Sequence, residues 1–244
     1  FAKLLTSRQL TKKFHENYHQ YLEMADQIHV CAKWVRDLIY KQGFSKNKVK
    51  YIKPGIAELE SRHSRKLMED GVLKLIFIGR CHKSKGLHLI VKAIKKLKSE
   101  IPIKLDIFSQ AWDEEYCKRI EKLINADQSF NVFINHDREN IFNKLNNYDL
   151  VVIPSIVLET GPLVALEALS SRIPIAGTNK GGIKEILESR DNCFLVKPEI
   201  RSWIDLFLKL NSRKGDENEV KCIPIKTYSD LANEIIEQLY KSED

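Results

Sequence analysis

The chain has 244 residues, 43% of them hydrophobic, with 40 Lys and Arg against 33 Asp and Glu for a formal net charge of +7. That is enough apolar chain for one or two domains with a real core, and it excludes intrinsic disorder. No apolar run approaches the roughly 20 residues of a membrane helix, and the lysines form no basic run interleaved with aromatics, which excludes a nucleic-acid binder.

In chain order, helical patterning dominates from Leu4 to Glu23. Ile28–Cys31 reads as a short strand, Trp34–Tyr40 as a helix and Val49–Ile52 as a strand ending at Pro54-Gly55. From about Val72 strands and helices alternate. Strands are expected at Leu73–Ile78, Ile103–Phe108, Asn131–Ile134, Leu150–Ile153, Ile173–Ala176 and Phe194–Val196. Helices are expected at Leu87–Leu97, Glu114–Ile124, Ile141–Leu145, Leu163–Leu169, Ile183–Leu187 and Asp230–Tyr240. Lys209–Glu219 is polar and reads as a loop, and Trp203 with Leu206 and Phe207 reads as core packing. Strict alternation predicts an α/β fold, a doubly wound parallel sheet (Rossmann-like) covered by helices on both faces.

In such a sheet ligands sit beyond the carboxyl ends of the strands, and three strand ends are chemically loaded. The first is Gly79-Arg80-Cys81-His82-Lys83-Ser84-Lys85-Gly86. Arg80 and Lys85 place two cations near a helix N-terminus, which suits a diphosphate, although a solvated basic loop is the plainer reading of this segment alone. The second is Pro154 to Leu169, PSIVLETGPLVALEAL. Glu159 lies in a loop, Pro162 takes a first helical position, and the N–H groups of Leu163, Val164 and Ala165 point towards the strand ends. Glu167, one to two turns into the helix, has the chemistry to grip vicinal hydroxyls. Two acids near two cations suit a ligand carrying both hydroxyls and phosphates. The plainer alternative makes Glu159 a cap and Glu167 an exposed helix residue. The third is Gly181-Gly182-Ile183-Lys184-Glu185, a tight turn or a close approach to ligand. His82, His88 and His136 lack metal-ligand spacing, so no metal is expected. Cys31, Cys81, Cys117, Cys193 and Cys222 form no CxxC or Cys/His cluster, which fits free thiols in a reducing compartment and a cytoplasmic location. The chain begins at Phe1 without a signal-like segment and is read as a fragment of a longer protein.

The segments GRCHKSKG, DLVVIPS, ETGPLVALEAL and IPIAGTNKGGIKEIL, in this order from Ala25 to Tyr240, resemble the donor-binding half of the family 4 retaining glycosyltransferases, which have the two-domain GT-B fold. The most specific element is the spacing of Glu159 and Glu167 within PS-x3-E-x-G-x5-E-A, with GR-x4-KG upstream. The resemblance implies a nucleoside-diphosphate sugar as donor substrate, with no cofactor or metal, and transfer with retention to a glycan or lipid-linked glycan. It makes Arg80, Lys85 and Glu159 the catalytic group, with Arg80 and Lys85 on the diphosphate and Glu159 on the transferred sugar. Gly79, Thr160, Gly161, Pro162 and Leu163 would contact sugar and phosphate, Glu167 the ribose, and Phe133 and Ile134 the base. Residues 1–57 would be the end of the acceptor-side domain plus linker, 58–226 the nucleotide-sugar domain, and 227–244 a terminal helix. A complete acceptor domain is expected elsewhere, in a missing domain or partner chain, because about 55 residues fall short of a typical ~100–150. The basic charge suits peripheral contact with an anionic membrane. Two alternatives remain: a non-catalytic nucleotide-sugar-binding module, and another GT-B enzyme such as a sugar-nucleotide epimerase, against which the paired-glutamate spacing argues. The resemblance also expects glycine at the position of Arg172, and glycine-containing stretches where this chain has Ser109-Gln110-Ala111 and Asn135-His136.

Overall fold

The computed structural model describes residues 7–57, 66–109, 114–135, 141, 145–218 and 224–240. The chain divides into two compact units, one up to Lys53 and one from Pro54 onward. Gln110, Ala111, His136 and Cys222 lie outside the described residues, as does the expected boundary at residue 58.

In the first unit, helix α1 spans Ser7–Met24. Strands β1 (Ile28–Val30) and β2 (Val49–Tyr51) pair in parallel around helix α2 (Lys33–Lys41). Ile28, Val30, Ile39 and Val49 form its core, with Leu22, Tyr40 and Phe44 against them.

The second unit is built on β3 (Leu73–Ile78), β4 (Ile103–Ser109), β5 (Phe130–Ile134), β6 (Leu150–Ile153), β7 (Ile175–Thr178) and β8 (Cys193–Val196). They lie in the order β5-β4-β3-β6-β7-β8, every pair parallel. The chain winds outward from β3 through β4 to β5, then returns to the other side of β3. This is the doubly wound order, and the gap between the carboxyl ends of β3 and β6 is its switch point. The alternating α/β reading of the sequence therefore holds.

Both faces are covered because both are apolar. On one face Leu75 and Phe77 meet α3 (Leu87–Leu97), α4 (Glu114–Ile124) and α7 (Ile200–Asn211). On the other, Ile76, Val151 and Ile153 meet α5 (Leu163–Ser170) and α6 (Gly181–Leu187). The last helix, α8 (Tyr228–Tyr240), starts earlier than Asp230 because Thr227 and Asp230 cap each other. The Thr227 N–H donates to Asp230 Oδ2 at 2.9 Å and the Asp230 N–H to Thr227 Oγ1 at 3.1 Å, a reciprocal N-terminal cap.

Several sequence expectations are corrected. Helix α7 replaces an undivided core cluster, and the expected loop from Lys209 begins with its last turn. Strand β7 starts at Ile175 because the Ile173 N–H donates to Ala168 O at 2.9 Å, closing α5, and Pro174 follows. Of the helix expected at Ile141–Leu145, the described part is helical Ile141 and a 3-10 turn at Leu145–Asn147. Two of the positions where glycine was expected are explained by backbone angle: Arg172 has φ 56° and Asn135 φ 58°, both left-handed. Asparagine tolerates that region well and arginine at a cost of about 1–2 kcal/mol.

Candidate functional site

The basic loop leaves β3 at Gly79, whose N–H donates to Phe108 O at 3.0 Å. Arg80 is exposed and Cys81 fully buried, so the loop is pinned through Cys81 while Arg80 faces water. The Cys81 N–H donates to Ser109 Oγ at 2.9 Å. A 3-10 turn at Lys83–Lys85 follows, capped by His82, which accepts from the Ser84 N–H at 3.2 Å. Gly86 ends it at φ 69°, and a Cβ there would lie 1.9 Å from Pro154 O. Only glycine lets this loop close onto the end of β6. The Ile156 N–H then donates to Ser84 O at 2.9 Å, tying the two loops across the switch point.

That contact sets Lys85 against Glu159. Lys85 Nζ donates to Glu159 Oε1 at 2.6 Å, with the two side chains only 24% and 16% exposed. Ser155 Oγ donates to the same oxygen at 2.6 Å. Glu159 O accepts the Gly182 N–H at 2.7 Å. Cβ atoms on Gly181 and Gly182 would lie 2.9 and 2.8 Å from Glu159 O, so this glycine pair makes room for the 159–161 backbone. Of the two readings left open for the pair, the close approach is to the chain itself.

Two details of the second segment differ from expectation. Pro162 has ψ 115° and caps α5 instead of opening it. The Ala165 N–H donates to Pro162 O at 3.0 Å, so it is engaged within the first turn and leaves Leu163 and Val164 as the leading donors. Thr160 is exposed, and Gly161, Pro162, Leu163 and Val164 are half-buried. Glu167 is buried at 5% exposure rather than an exposed helix residue. A carboxyl this deep sits where a polar partner is needed.

Phe133 and Ile134 stand at the end of β5, separated from β3 by β4. Phe133 stacks on Phe108 with centroids 4.6 Å apart, and Ile134 is 48% exposed. The structure thus brings Lys85 and Glu159 into contact, places Gly79, Arg80 and Thr160 to Leu163 around the same strand ends, and sets Phe133 and Ile134 further along the edge. Ser109, Ser155 and Thr178 were missed as site residues; Ser155 stood in the quoted motif, directly after the proline that stops β6. Among the described residues no group of three His, Cys, Asp or Glu has the geometry of a metal site.

A doubly wound sheet with an acid and two cations near its switch point belongs to the α/β domains that take ligands beyond the carboxyl ends of their strands. The sequence profile described as "Glycosyl transferases group 1" matches residues 60–224, and the chain belongs to that family. An uncharacterized glycosyltransferase from Methanocaldococcus jannaschii is 27% identical over 133 residues, 54% of this chain and 34% of the relative. N-acetyl-alpha-D-glucosaminyl L-malate synthase from Bacillus anthracis is 25% identical over 174 residues, 71% of this chain and 44% of the relative. The chain thus spans between a third and a half of the length of these curated relatives. Among solved structures, Anabaena Alr3699/HepE in complex with UDP and glucose superposes with TM-score 0.73 at 15% identity, covering 93% of this chain and 67% of that one. At that identity the likeness is one of fold.

Proposed function

We propose that the chain carries the donor site of a retaining, family 4 glycosyltransferase that moves a sugar from a nucleoside-diphosphate sugar to a glycan or lipid-linked glycan. The observation that carries this is the Lys85–Glu159 pair at the switch point, 2.6 Å apart, formed between the loop that also carries Arg80 and the loop that leads into α5. An anionic ligand draws Lys85 and Arg80 to its diphosphate, and the N–H groups of Leu163 and Val164 add the positive end of α5. Glu159, released from Lys85, accepts from the hydroxyls of the sugar. Glu167 takes the ribose hydroxyls. Phe133 and Ile134 flank the base. Because fixed cations and helix N–H groups stabilise the departing diphosphate, the reaction needs no metal. The complex of the Anabaena neighbour with UDP and glucose favours a uridine donor.

In this reading residues 1–57 belong to the acceptor side, and the rest of that domain completes the catalyst. The protein works in the cytoplasm, with peripheral attachment to an anionic membrane through its net charge of +7. No helix among the described residues is long and apolar enough to cross a membrane.

A thermal-shift titration tests the donor site with UDP, GDP and their glucose, N-acetylglucosamine and mannose derivatives. Ligand at 100 times Kd stabilises by about 2.7 kcal/mol, a rise of several degrees. Arg80→Ala and Glu167→Ala should abolish the rise at the same concentration. No shift with any nucleotide at millimolar concentration sinks the proposal.

A further inference from the structure

We propose that Ser155 is a positioning residue for Glu159, holding the carboxylate in place for the donor sugar after Lys85 has turned to the diphosphate. The inference rests on the donor-site reading above and adds a residue to it.

Glu159 Oε1 is gripped twice, by Lys85 Nζ and by Ser155 Oγ, each at 2.6 Å. The two grips differ in kind. Lys85 is a cation on a flexible four-carbon stem, and a diphosphate competes directly for its charge. Ser155 offers a neutral hydroxyl on a one-carbon arm, for which an arriving anion competes far less. Once Lys85 is drawn away, the serine still donates to Glu159 Oε1 and orients its carboxylate.

Ser155 is itself held firmly. It is 1% exposed, and its carbonyl accepts from Thr178 Oγ1, a fully buried hydroxyl, at 2.6 Å. The residue before it, Pro154, lies against Gly86, where a Cβ would fall 1.9 Å from its carbonyl oxygen. The residue after it, Ile156, donates its N–H to Ser84 O at 2.9 Å. The far end of the loop is fixed where the Gly182 N–H meets Glu159 O at 2.7 Å. Backbone and carboxylate of Glu159 are therefore referred to the rigid ends of β6 and β7, while Lys85 belongs to the loop after β3. This separation lets one site rearrange its cation without moving its acid. A buried hydroxyl aimed at a carboxylate also has its own polar need met, which favours the pairing.

Calorimetric titration of wild type, Ser155→Ala and Ser155→Thr with UDP, UDP-glucose, UDP-N-acetylglucosamine, GDP and GDP-mannose tests the role. In Ser155→Ala the sugar-bearing ligand should weaken by about tenfold relative to the bare diphosphate of the same base, the scale of one hydrogen bond to a charged group. Affinity for the bare diphosphate should stay at the wild-type level, and Ser155→Thr, which keeps the hydroxyl, should restore the ratio. If the alanine variant does not fold, Ser155→Cys replaces it, with the same loss expected from its weak S–H donor. An unchanged ratio in a folded variant overturns the positioning role alone. Equal loss of bare diphosphate and sugar-bearing ligand also overturns it, since that marks general damage to the loop. Absence of any nucleotide binding to wild type overturns the donor-site reading and this inference with it.

Discussion

His88 shows how a side chain near the basic loop is tuned without belonging to it. Its backbone N–H donates to the Tyr116 hydroxyl at 3.0 Å, and its Nδ1 lies 2.8 Å from the same oxygen. The hydroxyl accepts from the backbone and pairs with Nδ1, an arrangement that a neutral imidazole satisfies. Burial first, then Lys92 and Lys83, holds His88 below its ordinary 6.5. Burial pushes the Tyr116 phenol up to about 12, so it keeps its proton throughout the neutral range. In the unfolded chain His88 regains its ordinary value and binds a proton more readily. Stability is therefore full above pH 6.5 and falls as pH drops from 6.5 towards the lower folded value. Melting curves at pH 7.5 and 5.5 check this: the wild type should lose more melting temperature between them than His88→Gln, which has no imidazole to charge. Equal losses would remove His88 as the cause.

At the scale of elements, β3 and β6 were legible because each is a short, largely apolar run stopped by a glycine or a proline. Leu73–Ile78 and Leu150–Ile153 match the sequence reading residue for residue. Helix α7 was not, although Ile200, Trp203, Ile204, Phe207 and Leu210 keep helical spacing. Its aromatic pair, Trp203 and Phe207, drew the reading to a core cluster and away from the period. Both are fully buried, with ring centroids 6.1 Å apart. Trp203 Nε1 has no hydrogen-bond partner among the described residues, so shape and apolar area hold the ring. Trp203→Ala should cost about 3–5 kcal/mol, read as a lower urea midpoint with unchanged slope. A loss under about 1 kcal/mol would mean that α7 is not part of the cooperative core. The site was half legible for a related reason. Lys85 and Glu159 could each be named from a local motif, but their contact depends on which strands are neighbours. The Gly181-Gly182 pair could not be read either, because what approaches it is backbone from 22 residues earlier, Glu159 to Gly181.

At the scale of the whole sheet, the two halves meet along β3 and β6, and this seam is short. It has two paired positions, Leu75 with Leu150 and Ile76 with Val151, against six between β3 and β4. The seam is fastened at both ends. At the carboxyl end are the Gly86–Pro154 approach, the Ile156–Ser84 hydrogen bond and the Lys85–Glu159 pair. At the amino end is Asp149, fully buried, whose Oδ2 accepts the Lys74 N–H at 2.8 Å and whose Oδ1 accepts the Met68 N–H at 3.3 Å. Its N–H donates to Lys74 O at 2.8 Å, and its carbonyl accepts from Asn218 Nδ2 at 2.9 Å. One buried carboxylate thus anchors both halves at the end away from the candidate site. Asp149→Ala strands the buried Met68 N–H and the part-buried Lys74 N–H and should destabilise the protein by about 2 kcal/mol, measured by urea denaturation. Nucleotide affinity, measured well below the melting temperature, should stay near wild type, because the carboxyl end keeps its own fastenings. Loss of affinity without loss of stability would show that the two ends of the seam are coupled, and that the site depends on the register Asp149 sets.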